Sequence, residues 1–536
     1  MEGERTDGSD LDAVVVGAGF AGMYMLHRLR SLGLSARVFE AGDDVGGTWY
    51  WNRYPGARCD IESMEYSYQF SEELQQEWEW SERYAPQPEI LRYAQHVADR
   101  FGLRPDIQFA TRVIAASFDD STSRWSVRTD RGNEVTAQFL IMATGCLSSA
   151  NTPDFEGVDT FTGATYHTGR WPHEGVDFTG EKVGVIGTGS SAVQAIPIIA
   201  EQALELNVFQ RTATYAVPAH NGPLDPDQQR AIKTDYGGLR ERNSQTMVGF
   251  GSRTPPNESF ALTTDPHERE LQFESRWQHG GLQFLGAFGD LLFDPEANEL
   301  AADFVRDKIR AVVDDPEVAE LLSPSTVIGC KRLCVDTGYY TAFNRANVKL
   351  VDVSDAPIER ITSNGVVADG VEYELDCIVF ATGFDAMTGA LLSVDMKGRD
   401  GTTLAEGWSE GPRTYLGLMV VGFPNLFTVT GPGSPSVLTN MIPSIEQHVE
   451  WIGDCIDYLG SNGYERIEAT AAAQDAWVEH VNTIADLTLY PTCNSWYLGA
   501  NVPGKARVFM PLLGFAPYVE RCNQVVACGY EGFDLG

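Results

Sequence analysis

Ala13-Val14-Val15-Val16-Gly17-Ala18-Gly19-Phe20-Ala21-Gly22 is the stretch that decides how this chain folds. The apolar run reads as a buried strand, and from Met23 to Leu32 apolar residues recur at helical spacing, so the glycines sit on the turn between a strand and a helix. In that position they let the backbone turn tightly and approach a pyrophosphate, while the helix N-terminus offers unpaired N–H groups and the positive end of its dipole. A second strand, Ala36-Arg37-Val38-Phe39, leads to Glu40, at the place where a carboxylate accepts hydrogen bonds from an adenosine ribose. Gly17, Gly19, Phe20, Gly22 and Glu40 are therefore candidate binders of a dinucleotide.

The pattern returns at Gly187-Thr188-Gly189-Ser190-Ser191-Ala192, after Val183-Gly184-Val185-Ile186 and before an apolar helical run that ends at Ile199. Its next strand, Leu206-Asn207-Val208-Phe209, leads to Gln210-Arg211-Thr212 and to no carboxylate. An acid there would repel a 2′-phosphate, whereas an arginine beside a hydroxyl pairs with one through charge-assisted hydrogen bonds. The second nucleotide is thus expected to be NADP, bound by Gly187, Gly189, Ser190, Ser191, Arg211 and Thr212, although a surface arginine after a strand would leave the same trace. Two nucleotide sites in one chain suggest an enzyme that passes electrons from one cofactor to another.

Composition sets the outer limits. A chain of 536 residues exceeds what one core supports, so two or three domains are expected. A net charge of −36 argues against nucleic acid or an anionic membrane as partner and favours solubility. The nine cysteines form no CxxC pair, and Cys330 and Cys334 lack the second pair that zinc requires, so neither a metal site nor a disulfide framework is expected. The acidic, polar stretch from Met1 to Asp10 resembles no signal or transit peptide, and no apolar run approaches a membrane span. Cytoplasm is the expected compartment.

The fold class expected is α/β, with two Rossmann-like dinucleotide-binding domains, for FAD and NADP, and a mostly helical insertion. The strand Phe139–Met142 ends in Ala143-Thr144-Gly145 and the strand Cys377–Phe380 in Ala381-Thr382-Gly383, turns that mark where chain leaves one nucleotide domain for the next. The domains are accordingly expected to interleave: 1–145 as the first part of the FAD domain, 146–221 as the first part of the NADP domain, 222–325 as the insertion, 326–382 completing the NADP domain and 383–536 completing the FAD domain. The last of these includes Leu426–Thr430, the turn Gly431–Ser436 and a mobile loop near 490–505. The segment from Gly46 to Ser63 carries too many aromatics, glycines and charges for a regular strand or helix; it fits a loop against a planar isoalloxazine, or an aromatic-rich surface corner.

Phe161-x-Gly163-x-x-x-His167-x-x-x-Trp171, just ahead of the second fingerprint, resembles the signature of the Baeyer–Villiger monooxygenases. The likeness runs from about Ala13 to Phe533, through the 46–63 loop, Gly329-Cys330-Lys331-Arg332, the Gly431–Met441 turn and Asn494–Gly504, and is strongest to the single-chain branch of phenylacetone, cyclohexanone and steroid monooxygenases. The resemblance implies FAD, NADP(H), O2 and a hydrophobic ketone (cyclic, aryl-alkyl or steroidal) turned into a lactone or ester through a C4a-peroxyflavin, with sulfoxidation as a side activity. It makes Arg332 the stabiliser of the anionic oxygen and Asp60 its partner. It adds Gly47, Thr48, Trp49, Trp51, Tyr54, Asp60, Tyr66, Val113, Arg332 and Met441 to the cofactor set, Lys331 as a second 2′-phosphate partner, and Trp496 as a loop residue over the nicotinamide side. Cys146, Leu147, Val437, Leu438 and Met441 are the implied substrate-lining residues. His167 is read as fixing a linker, Trp171 as core, and the protein as a monomer. Two other classes share the nucleotide folds: a flavin-containing N- or S-oxygenase, and a disulfide reductase, which would need a cysteine pair by the flavin where Cys59 stands alone.

Overall fold

Asp10–Val16 becomes a central strand in the computed structural model, which describes residues 10–505 and 514–536; the acidic stretch that precedes this strand, 1–9, lies outside the described residues. Ala13, Val14 and Val15 are fully buried because the strand has neighbours on both sides and helices over its faces. Ala36–Phe39 and then Ile107–Gln108 pair parallel on one side, and Glu134–Met142 pairs parallel on the other. On its other edge this last strand serves two more partners. Its first half pairs antiparallel with Arg124–Thr129, whereas Leu140–Met142 pairs parallel with Leu426–Thr428, so a late segment of chain completes a sheet begun at the N-terminus. The sheet is eight-stranded. The fingerprint helix Phe20–Ser31 packs against Met441–Asn462 on one face, and Trp125, Trp408 and Val420 fill the other.

The second sheet is five-stranded and wholly parallel, in the order Val348–Asp352, Glu205–Gln210, Lys182–Ile186, Cys377–Phe380, Ala164–His167. Behind it the helix Ser190–Gln202 buries Ala192, Ala195, Ile196 and Ile199 completely. The two Ala-Thr-Gly turns do the same thing in each unit. Gly17 has φ +101° and Gly187 φ +112°, and a Cβ on either would stand 2.7 Å from the Ala143 carbonyl oxygen or 2.5 Å from that of Ala381. Only glycine permits that backbone and that approach.

Between the paired strands Ala216–Pro218 and Cys334–Asp336 lie helices Pro226–Thr234, Tyr236–Ser244, Pro266–His279, Pro295–Val312 and Pro316–Leu322. Asp225, Asp265, Asp294 and Asp315 cap four of them, each accepting from backbone N–H groups of the first turn, and each is followed by a proline whose missing N–H costs nothing there. Phe273, Phe284, Phe288 and Phe304 join the apolar cluster of the second sheet, while Tyr236 and Leu239 join that of the first. Among the described residues no helix is long and apolar enough to cross a membrane. One expectation is corrected: a disulfide joins Cys330 to Cys493 across a sequence separation of 163, too remote for any spacing rule to detect.

Candidate active site

A cavity of about 730 Å³ opens along the C-terminal edge of the first sheet, and the 46–63 loop forms one wall of it. Gly17, Gly19, Phe20, Glu40, Gly47, Thr48, Trp49, Trp51, Tyr54, Tyr66, Val113 and Met441 line it. Glu40 is 5 % exposed, and its carboxylate accepts from the N–H groups of Ala18 (2.6 Å) and Gly42 (2.7 Å), so it shapes the glycine turn as well as facing the cavity. Burial raises its pKa against those bonds. Trp49 donates from Nε1 to the Tyr66 hydroxyl at 3.1 Å, which fixes the two rings edge to face. Gly22 lies outside the lining because a side chain there would meet the Gly17 carbonyl; its role is to let helix and turn close up.

Arg332 and Asp60, 272 positions apart, meet in a two-toothed ion pair: Nε and Nη2 donate to Oδ2 and Oδ1, both at 2.8 Å. Nη1 donates to the Val437 carbonyl at 2.9 Å. A guanidinium has five N–H groups, so these bonds leave one on each terminal nitrogen, at the wall of the cavity that Arg332 and Asp60 both line. Burial would lower the Arg332 pKa, but the Asp60 carboxylate outweighs it and holds the group above its ordinary value. The Tyr497 phenol faces the same guanidinium and is pushed up to about 12 by burial.

Cys146, Leu147, Val437 and Met441 line the cavity beside this pair. Leu438 does not, but it packs in the same small apolar cluster, together with Ala386, Met387, Tyr490, Trp496 and Tyr497. Trp496 reaches the lining from its own segment. The second fingerprint stands apart: of its predicted binders only Ser190 touches the cavity, whereas Gly187, Gly189, Ser191, Arg211, Thr212 and Lys331 do not. Thr188 pins the end of the following strand by donating to the Thr212 carbonyl at 2.7 Å. Lys331 has its pKa lowered by burial and then by the Arg211 guanidinium, so two cations are held close together, an arrangement that a phosphate dianion would relieve.

Three further residues had no signal in the pattern. Gln194, on the second fingerprint helix, accepts from the Tyr54 hydroxyl (2.8 Å) and donates to the Arg58 carbonyl (3.1 Å). Thr430 lines the cavity at φ +53°, where a β-branched residue is seldom found. Tyr497 is the third. Each owes its position to packing between segments remote in sequence.

The model of the pyridine nucleotide-disulphide oxidoreductase family matches residues 14–237. A Baeyer–Villiger monooxygenase of Pseudooceanicola batsensis is 45 % identical over 99 % of this chain and 97 % of its own length. The chain belongs to the Baeyer–Villiger monooxygenase family. A solved structure of an oxidised steroid monooxygenase bound to NADP is 54 % identical and superimposes with a TM-score of 0.94, covering 98 % of this chain and 99 % of that one. A phenazine N-monooxygenase of Lysobacter antibioticus is 42 % identical over 99 % of this chain and 98 % of its own length. The family signature folds as the edge strand Ala164–His167 and the turn after it. His167 accepts from the Gly169 N–H at Nδ1 (2.9 Å), and its Nε2 lies 3.2 Å from both the Asn151 carbonyl and the Thr382 hydroxyl. Burial lowers its pKa, so the neutral ring ties the linker between the sheets to the second Ala-Thr-Gly turn. Trp171 is buried against Tyr166 and Phe178.

Proposed function

We propose that this chain uses NADPH and dioxygen to insert one oxygen atom beside the carbonyl carbon of hydrophobic ketones, giving lactones or esters. FAD and NADP are its cofactors, and when bound the reduced flavin supplies the activated oxygen. FAD fits the cavity above: Gly17 and Gly19 admit the pyrophosphate, Glu40 takes the ribose, and Trp49, Tyr66 and Met441 shape the walls. Arg211, Thr212 and Lys331 hold the 2′-phosphate of NADP.

The observation that carries the reading is a permanently charged guanidinium, clamped by Asp60, with N–H groups to spare at an apolar wall. Baeyer–Villiger chemistry needs negative charge stabilised on oxygen twice: on the attacking oxygen, and on the carbonyl oxygen once the carbon becomes tetrahedral. Arg332 remains a cation at any working pH and offers its donors in a fixed plane, so it serves both. Asp60 keeps that plane aimed without taking the outward donors. Cys146, Leu147, Val437 and Met441 bind the hydrocarbon of the ketone and exclude water. Because one methylene alters such binding by only about 1–3 kcal/mol, the range of ketones accepted is broad.

The relative that oxidises a phenazine nitrogen gives a second reading, N-oxygenation. Incubation of the holoenzyme with NADPH, oxygen and a panel of cyclic, aryl-alkyl and steroidal ketones, with phenazine in parallel, separates the two. Esters or lactones heavier than their ketones by one oxygen are expected; an N-oxide with every ketone untouched would overturn the first reading.

A further inference from the structure

The bridge between Cys330 and Cys493 links two segments that carry the chemistry. Cys330 stands immediately before Lys331 and Arg332, and Cys493 immediately before the segment 494–504, whose short helical turn Trp496–Leu498 sends Trp496 into the cavity lining and Tyr497 toward Arg332. The Cα atoms are 5.9 Å apart. At its far end the same segment makes polar contacts with the linker and the 384–386 turn: Asn151 donates to the Asn501 carbonyl at 3.3 Å, Asn501 donates to the Phe384 carbonyl at 2.7 Å, and Lys505 reaches Asp385 and the Ala386 carbonyl. Such half-buried hydrogen bonds break and re-form one at a time, whereas a covalent link does not. The bridge is therefore the firm attachment of this segment to the arginine turn.

Neither cysteine lines the cavity, so the bridge is out of reach of electrons delivered there, and each is 4 % exposed. Its redox partner is then a thiol from solution, admitted when the segment lifts. A thiolate attacks one sulfur, the sulfur–sulfur bond breaks, and a second thiol resolves the mixed disulfide; two thiols of the reductant become one disulfide, and Cys330 and Cys493 gain two electrons and two protons between them. A low-molecular-weight disulfide reverses the exchange.

We propose that the Cys330–Cys493 disulfide is a redox latch: oxidised, it holds Trp496 and Tyr497 against the Arg332 turn, and reduced, it frees the 494–504 segment and weakens the hold on NADP. The proposal rests on the function proposed above, and on Trp496 lining a cavity that Ser190 of the second fingerprint also reaches.

The test begins with the native holoenzyme alkylated without reductant and digested. A peptide pair joined through Cys330 and Cys493 is expected; both cysteines alkylated would overturn the latch. Hydrogen exchange over 494–504 should rise after dithiothreitol and in Cys493→Ser, and the KM for NADPH should rise about tenfold while flavin reduction at saturating NADPH stays within about twofold, since what is lost is preorganisation. Oxidised glutathione should restore the KM of the reduced wild type and leave Cys330→Ser/Cys493→Ser unchanged, a reversibility that a merely structural cross-link would not share. Equal exchange and equal KM in oxidised and reduced wild type would refute the proposal even if the variants failed to fold. Exchange and NADPH KM that both rise on reduction in a protein that oxygenates no ketone would support the latch and overturn the proposed function alone.

Discussion

Arg332 has three donors committed to Asp60 and Val437, and its remaining N–H groups are on the side shared by the cavity and the Tyr497 phenol, a division that makes the residue testable. In Arg332→Ala the residues assigned to the pyrophosphate and to the 2′-phosphate are unchanged, so NADPH should still bleach the flavin in an anaerobic stopped-flow trace, while ester formation falls by at least about 10²-fold, the scale for losing an oxyanion donor. Lysine would restore charge but not the forked geometry and should recover only a small part. Product at the native rate from the alanine variant would remove Arg332 from the chemistry. Arg211 belongs to a separate account. Because it faces Lys331 and no carboxylate replaces it, Arg211→Ala should raise the KM for NADPH by about tenfold or more and leave that for NADH nearly unchanged. A loss equal for both nucleotides would instead mean general damage to the strand end. Arg211 was legible because its meaning is local: it follows a strand where an acid would otherwise stand. The Arg332–Asp60 pair was not, since nothing in either segment points to the other, and only the family resemblance joined them.

Between residue and fold stands the turn that carries Thr430, held by a chain of polar contacts from the helix Met441–Asn462. The Thr430 N–H donates to His448 Nδ1 at 2.9 Å, so the ring proton sits on Nε2 and is donated to the Tyr518 oxygen at 2.8 Å; the Tyr518 hydroxyl in turn donates to the Leu416 carbonyl at 2.6 Å. Thr430 and Leu416 both have positive φ, at +53° and +59°, and this chain secures them. It requires a neutral imidazole, and burial lowers the His448 pKa to about 3. The unfolded chain binds a proton near pH 6.5 and the native one does not. Stability from this group is therefore complete above pH 6.5 and is lost as pH falls toward 3, with a limiting slope of about 1.4 kcal/mol per pH unit. Urea denaturation should find wild type more stable than His448→Gln at pH 7.5, with the gap narrowing steadily toward pH 4.5; parallel curves would place the proton elsewhere. Elements with local causes, such as the two fingerprint units, could be read from the sequence. The left-handed Thr430 and Leu416 could not, because no glycine marks them and their conformation is imposed from a helix and a tyrosine far along the chain.

On the scale of the whole molecule the two sheets must act as one machine, and the fingerprints predict both without saying how they are joined. The late strand Leu426–Thr428 beside Leu140–Met142 is a case in point: its apolar run is legible, but its partner is chosen by the path of the chain. The joint itself is Gln194. Its Oε1 accepts from the Tyr54 hydroxyl at 2.8 Å and from the Arg58 N–H at 3.3 Å, and its Nε2 donates to the Arg58 carbonyl at 3.1 Å, so one side chain on the second fingerprint helix holds the loop that carries Asp60. Gly56 brings the surfaces together at φ +79°, where a side chain would strike the Gln194 carbonyl. Removing the amide takes partners from the Tyr54 hydroxyl and from the N–H and carbonyl of Arg58, all half-buried, and frees the 54–60 loop to shift against the helix. On the proposed reading hydride delivery depends on the nucleotide sites, whereas oxygen insertion also needs Arg332 aimed by Asp60, so the two should separate. Gln194→Ala is expected to consume NADPH at a rate within about threefold of wild type, because the glycine turns and the residues assigned to the 2′-phosphate are unchanged. The ratio of ester formed to NADPH consumed should drop severalfold, with hydrogen peroxide accounting for the difference, since a 1 Å displacement at a reacting centre is enough to cost far more than that. Measuring ester, peroxide and NADPH in the same vessel decides it: an unchanged ratio would show that the sheets keep their register without this amide.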